Sequence, residues 1–418
     1  MTSANPVATA SAIRSHFPAL EREYHDVLVA YFDGPGGTQV PRVVPEAMTR
    51  YLYDHNANTH WAYPSSAETD AALAHARAVF AGFLNGSPDE ILFGANMTTL
   101  TMHLARALAR RWEAGDELVV TELDHHANVD PWVEAAHDRG LVVHTARLDP
   151  RSGTLDWDDL ARCITSRTRL VAIGAASNAL GTISDVARAA DLAHAVGALC
   201  FVDGVHYAPH VLPDVGALGC DMFACSPYKF YGPHLGALWM RRDLLADTPF
   251  PKLVPASDEP PERGETGTLN HEGIVGAAAA VEWLASLAGV DGTLRIRLAR
   301  TFTALHDRGR ELLGTLWDGL AAIPEVTLYG PPASAPRTPT VGFVVEGMSS
   351  EAVARALADR AVFVSHGDFY AHTVVARLGR QPDGIVRAGC ACYTTPDEVA
   401  RLLTGVQSLT SKAAPRAS

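Results

Sequence analysis

One lysine of this chain is set among aromatic side chains. Lys229 lies in "CSPYKFYGPHLGALW", Cys225 to Trp239, flanked by Tyr228, Phe230 and Tyr231 and followed by a Gly-Pro break. The sequence holds only three lysines; Lys252, in a "TPFPK" loop, and Lys412, in a Ser/Ala/Pro tail, both read as solvated. An ammonium among rings loses hydration, which lowers its pKa and frees the amine as a nucleophile or base. A Schiff base with pyridoxal phosphate is one reaction that needs such an amine. The ordinary alternative is a lysine whose stem packs on the rings while its head stays in water.

A second group strengthens the chemical reading. "FVDG" delivers Asp203 at the end of an apolar run. A pyridoxal phosphate site uses such a carboxylate to keep the pyridine nitrogen protonated, so that the ring serves as an electron sink. An isolated Asp-Gly is otherwise a turn or a helix cap. "TELDHHANVDPW" adds an imidazole, His125, to lie flat on a ring, with His126 packing elsewhere. A metal site from Asp124, His125, His126, His206 and His210 is the rival. Adjacent histidines rarely converge on one ion, Pro209 breaks the His206/His210 helical spacing and no HExxH is present, so no metal is expected. Thr98, Thr99 and Ser226 supply short hydroxyls for a phosphate, and "NMTTL" opens a helix whose N-terminus favours anions. "YFDGPGGTQVP" (31–41) lacks the GK[ST] of a P-loop and reads as a flexible loop near a ligand or interface.

These groups need a scaffold, and the pattern of residues 90–240 supplies one. "EILFGA", "ELVVTEL", "LVVHTARL", "RLVAIGAAS", "LCFVDG", "MFACS" and "GALWM" are strand-like, with helix-period segments such as "MTTLTMHLARALARRW" and "DVARAADLAHAVG" between several of them. That alternation predicts βαβ units and a mostly parallel sheet covered on both faces, with ligands at the carboxyl ends of its strands. Thr98, Asp124 to His126, Ser177 with Asn178, Asp203 and Ser226 to Lys229 all follow such runs, so five strand ends face one crevice. After an apolar helix near 275–290 the pattern changes to a long helix (292–321), "VTLYG", "TVGFVVEG", a helix, "VFVSHG", "IVRAGCACY" and a closing helix. The expected organisation is a large domain over 21–285 and a smaller α+β domain over 286–418, joined by the N-terminal segment 1–20.

Composition narrows the function classes. Of 418 residues, 47% are hydrophobic and 19% charged, as in an ordinary globular protein. A net charge of −13 with no basic stripe argues against nucleic acid or an anionic membrane as partner. The longest apolar stretch is broken by Glu282 and is shorter than the roughly 20 residues of a membrane span. The N-terminus has no basic region followed by an apolar one, and six scattered cysteines read as reduced thiols; a cytoplasmic protein is expected.

Taken in order, "ELDHHANVDPW", "SNALGT", "FVDGVHYAPH", "CSPYKFYGP", "GTLN" and "VRAGCACYTTPDEV" resemble a class V aminotransferase of the cysteine desulfurase type, over nearly the whole chain. The resemblance implies a fold-type I pyridoxal-phosphate enzyme with a seven-stranded, mostly parallel sheet. It implies that Lys229 forms the Schiff base, Asp203 binds the pyridine nitrogen and His125 stacks on the ring. Thr98 and Ser226 would hold the phosphate, with Thr268 of "GTLN" reaching in from a second subunit of a homodimer. Asn178 and His206 would lie near the cofactor's phenolic oxygen and the substrate, and Arg387 would grip an α-carboxylate. His206 replaces the usual glutamine and Tyr228 the usual histidine.

The chief departure is in "FVSHGDFYAHTVV" (363–375), where a desulfurase carries a persulfide-forming cysteine. No cysteine occurs here between Cys225 and Cys390, and Cys390 and Cys392 are read as lying on a strand beside Arg387. Lys229 as base, with His366, Asp368 or Tyr370 as acid, would suffice to expel sulfur from Cβ of a cysteine-derived substrate without an enzyme thiol. Tyr370 is the candidate catalytic acid, and His366 also a substrate contact. Transamination, epimerisation or decarboxylating deamination share the same Cα carbanion and stay open, as does a non-catalytic scaffold built on the fold. The Ala/Arg-rich, Lys-poor usage suggests a GC-rich bacterial genome, in which secondary metabolism is one open setting.

Overall fold

The computed structural model describes residues 7–410. Seven strands form the main sheet: β1 (Ile91–Gly94), β2 (Glu117–Thr121), β3 (Val142–Ala146), β4 (Thr168–Gly174), β5 (Leu199–Asp203), β6 (Met222–Cys225) and β7 (Gly236–Met240). Their order is β1-β7-β6-β5-β4-β2-β3, and only β7 runs against the rest. Each expected strand of 90–240 is therefore present.

Alternation along the strands explains why both faces are covered. Ile91, Phe93, Val119, Cys200, Val202, Phe223 and Cys225 enter one core. Leu92, Leu118, Val120, Phe201, Met222 and Ala224 enter another, under the helices Met97–Ala109 and Asp130–Arg139. With the side chains of its central strands buried on both faces, the sheet is a rigid platform, and only the edge strand Val142–Ala146 is largely open to solvent.

The second sheet is antiparallel: β8 (Val326–Tyr329), β9 (Thr340–Val345), β10 (Ser365–Gly367) and β11 (Ile385–Gly389), in the order β8-β9-β11-β10. The 28-residue helix Leu294–Ala321 joins the units. Leu298 and Phe302 of its first half enter the large core, and Leu312, Leu313, Leu316 and Leu320 of its second half enter the small one.

The N-terminal segment serves both units. Phe17 packs edge-on against Trp283 at 5.2 Å and Tyr231 at 5.8 Å, but also against Tyr393 at 5.0 Å. Burying that ring contributes about 1.5–3 kcal/mol. Arg14 donates to the Tyr393 carbonyl (2.7 Å) and to Glu398 (2.9 Å). Residues Ala30–Tyr31, inside the range expected of the large domain, pair in parallel with Val362–Phe363, and Ala30 and Phe32 join the small core. This crossing brings the loop that follows, 33–38, over the strand ends of the main sheet.

Candidate active site

A cleft opens at the carboxyl edge of the main sheet. Asp203 is the last residue of β5, Ser226 the first after β6, and Lys229 closes the single helical turn Pro227–Lys229. Asp124 and His125 follow β2, Asn178 follows β4, and Thr98 lies in the first turn of the helix after β1. All of them line this one cleft. Gly204 permits the turn after Asp203: a Cβ there would lie 1.9 Å from the Phe223 ring.

Lys229 is poised as an amine. Its Nζ donates to the Pro35 and Gly36 carbonyls, at 2.5 and 2.9 Å, and lies 4.8 Å from the Tyr228 ring centroid. Burial, then the Arg387 charge, lowers its pKa from 10.5 to about 7, with Asp203 and Asp33 pulling the other way. The glycines of "GPGG" explain how backbone comes so close, since a Cβ on Gly37 would stand 3.3 Å from the Tyr228 ring. The 31–41 loop is thus a wall of the site.

Two carboxyls lie side by side beneath the cleft. Burial raises Asp203 to about 6, against the Val205 amide (2.9 Å) and Lys229, which favour its charge. Asp124 is pushed well above the usual carboxylate range by burial and by the charge of Asp203. It accepts from the Gly174 amide at 2.7 Å and from Asn128 at 3.1 Å. Those two donors favour its charged form, against burial and Asp203. Burial and the Lys229 charge lower His125 to about 4, so its ring is neutral. Its Nδ1 accepts from the Ala127 amide at 2.9 Å, which leaves the proton on Nε2.

Arg387, on β11, is 3% exposed. Its Nε donates to the Ser365 hydroxyl (3.1 Å), its Nη1 to the Asn178 carbonyl (3.0 Å), and Phe369 covers its face at 4.0 Å. Burial lowers its pKa to about 9, still charged at neutral pH. Asp33 is a neighbour missed in the sequence. Burial raises its pKa while Arg387 and Lys229 lower it, and its Oδ1 is buried without a hydrogen-bond partner. The only signal was an acidic residue heading a Gly-rich loop.

Other expectations divide. Thr98 and Ser226 face the cleft, and Ser226 Oγ is 3.4 Å from the Met97 amide at the helix N-terminus. Thr99 does not: its hydroxyl and amide are both held by Asn96, which caps the helix, and it lines a different cavity. His206 lines the cleft, yet its Nε2 is tied to the Thr338 and Thr340 hydroxyls at 3.0 and 3.1 Å, leaving only its other edge. Thr268 lies apart, in the cavities beside Thr266 and Leu269. Lys252 is bonded rather than solvated, to the Ala256 carbonyl and Asp258. Lys412 lies outside the described residues.

His366 is a correction. Ser365 on β10 bonds Arg387, so strand alternation turns His366 to the opposite side, where it lies exposed beside Glu351. Tyr370 is another: it is 73% exposed and stacks on His125 at 5.4 Å, but is not among the residues lining the cleft. Cys390 and Cys392 lie just beyond β11 rather than on it. Burial pushes both thiols up to about 12, so neither is a nucleophile.

The donor set fits a flat, phosphorylated heteroaromatic aldehyde. There is an amine of low basicity, a carboxylate at the end of β5, a neutral imidazole, hydroxyls at a helix N-terminus, and the Asn178 Oδ1, buried without a partner. Pyridoxal phosphate has a complementary group for each.

Comparisons with known proteins agree with this geometry. The family model described as aminotransferase class-V matches residues 30–402. The chain is 34% identical to the aminotransferase-like protein FGM3 of Gibberella zeae over 94% of this chain and 97% of that one. It is 32% identical to a cysteine desulfurase of Enterobacter sp., over 95% and 97%. Among solved structures, the apo cysteine desulfurase of Thermococcus onnurineus NA1 superposes with a TM-score of 0.86 at 28% identity, covering 96% of this chain and 98% of that one. CsdA, a cysteine desulfurase of Escherichia coli, gives 0.83 at 27%, covering 97% and 99%.

Proposed function

This chain belongs to the class V aminotransferase family and is a pyridoxal-phosphate-dependent enzyme of cysteine desulfurase-like fold, and from that membership we propose that it cleaves the C–S bond of a cysteine-derived substrate by β-elimination, without an enzyme persulfide. Bound in the cleft, the cofactor supplies a carbonyl for the substrate amine and an electron sink for the pair left at Cα. Lys229 would hold its carbonyl carbon, Asp203 its ring nitrogen, His125 its face, and Thr98 and Ser226 its phosphate.

The remaining steps fall to side chains. Arg387 grips the α-carboxylate with the donors its Ser365 and Asn178 bonds leave free. Lys229, released as a neutral amine, takes the Cα proton. Tyr228 is the acid the cleft offers to the departing sulfur: burial and the Asp203 charge raise its pKa, so its phenol stays protonated. One observation carries the reading: base and carboxylate grip are kept, while no thiol lies between Cys225 and Cys390 and every cysteine next to the site is buried.

The test is incubation of the holoenzyme with a cysteine S-conjugate. Pyruvate, ammonia and free thiol in equal amounts are expected, with no persulfide on the protein. Accumulation of the amine form of the cofactor without a free thiol would replace elimination by transamination, the second reading, which the aminotransferase-like name of a relative favours. We further propose a cytoplasmic homodimer. Thr268 is remote from its own chain's cleft and would complete the partner's phosphate site, and the cysteines are unpaired. Full cofactor affinity in a dilute monomer would refute the shared site.

A further inference from the structure

Phe369 and Tyr370 are consecutive non-glycine residues with left-handed backbone, φ 56° and 57°. Such conformations persist only where the surroundings over-determine them, and they cluster at functional sites. Here the Asp368 carboxylate accepts from the Tyr370 amide at 3.1 Å and its carbonyl from the Ala371 amide at 2.8 Å. Both outward carbonyls are also captured. Asn178 Nδ2 donates to the Phe369 carbonyl (2.9 Å) and the His126 amide to the Tyr370 carbonyl (2.8 Å).

The side chains repeat this pairing. The Phe369 ring lies on the Arg387 guanidinium at 4.0 Å, and the Tyr370 ring lies on His125 at 5.4 Å, tilted by 28°. A closed circuit results: Arg387 bonds the Asn178 carbonyl, the Asn178 amide bonds the Phe369 carbonyl, and the Phe369 ring returns to Arg387. We propose that Phe369 and Tyr370 are paired positioning residues, a two-ring clasp that holds the substrate-gripping Arg387 and the cofactor-facing His125 in one register. The inference rests on the reading of the cleft as a pyridoxal-phosphate site for amino acids.

Physical reasons favour rings at both places. A guanidinium on a long stem has many rotamers, and a π face fixes its plane while leaving its edge free to donate. Ser365 and Asn178 occupy part of that edge, and the rest remains for a carboxylate. His125 lines the cleft, and Tyr370, outside that lining, stacks on its ring. The Tyr370 hydroxyl takes no part, because the phenol extends toward solvent.

The experiment uses the reconstituted holoenzyme, titrated with L-alanine and L-cysteine and followed through the visible cofactor band, with KM and kcat measured on a cysteine S-conjugate. Phe369→Gly keeps the left-handed backbone and removes the ring. It should weaken amino-acid binding about 5- to 30-fold, the range of a desolvated cation–π contact, and raise KM with cofactor content unchanged. Phe369→Tyr should restore both. Tyr370→Ala should shift the cofactor's absorption and circular dichroism and weaken its binding, and Tyr370→Phe should restore the spectrum and the pH profile. Wild-type titration by Phe369→Gly overturns the clasp, as does a Tyr370→Phe variant as impaired as Tyr370→Ala. A wild-type holoenzyme whose band ignores every amino acid overturns the underlying reading instead.

Discussion

Replacing Lys229 by methionine should stabilise the cofactor-free protein, most strongly in mild acid. In the native state burial holds the lysine near 7, whereas the unfolded chain returns it to its ordinary 10.5. Between those values the unfolded state binds a proton that the native state does not, so wild-type stability climbs with pH by up to about 1.4 kcal/mol per pH unit. Below pH 7 both states are protonated and the full penalty of desolvating the ammonium stands, about 5 kcal/mol at pH 6. By pH 9 about 2 kcal/mol of it is left, and it vanishes above 10.5. The two carbonyl bonds at Nζ are already contained in the native value. Methionine carries no charge and fills a similar volume. The assay is denaturant unfolding of the two apo proteins at equal concentration, from pH 6 to pH 9. The variant should lead by several kcal/mol at pH 6, with the gap closing steadily as pH rises. Parallel curves would refute the argument, because they would mean that the folded site leaves Lys229 as basic as water does.

Other substitutions probe the remaining groups. Asp203→Asn should lower kcat by about 10²–10³ while cofactor stays bound, since it removes a buried charge rather than a contact; turnover and absorption spectra check this. Arg387→Lys should raise KM roughly 10- to 100-fold with a smaller change in kcat, because an ammonium cannot reproduce the fork and charged hydrogen bonds are worth about 1.5–3 kcal/mol. Gly204→Ala should destabilise the protein by about 1–3 kcal/mol and loosen cofactor binding, as the new Cβ would meet the Phe223 ring at 1.9 Å; unfolding and cofactor titration report both.

The legible part of the site was the part carried by the main sheet. When both faces of a strand are buried, the strand reads as an unbroken apolar run, and its first polar residue marks the edge. Asp203, Ser226 and the Asp124–His125 pair were found that way, because each is the last residue of its strand or lies within four residues after it. Loops that arrive from elsewhere carry no such marker. Pro35 and Gly36 touch Lys229 through carbonyls, which any residue possesses, and Asp33 reaches Arg387 because residues 30–31 pair with 362–363 across the chain. The one trace in residue type is the Gly-rich run after Asp33, which marks a loop near a ligand but not the groups it touches.

The loop 363–375 shows why side-chain direction was the weakest inference. "VFVSHG" reads as one strand, and one strand has one parity. In the structure it changes partners midway: Val362–Phe363 pairs with Ala30–Tyr31, and after Val364, Ser365–Gly367 pairs with β11. Register on β11 then sets Ser365 opposite Arg387, and His366 is turned away from the cleft. The two left-handed residues that follow reverse the chain again, so that the rings of Phe369 and Tyr370 return to Arg387 and His125. A loop built in this way is held at both carbonyls and by both rings. A cysteine that must travel between substrate and acceptor needs the opposite, a segment with few fixed contacts. On the proposed reading, the missing thiol and the anchored turn belong together: the loop would order the substrate grip and leave bond cleavage to groups already inside the cleft.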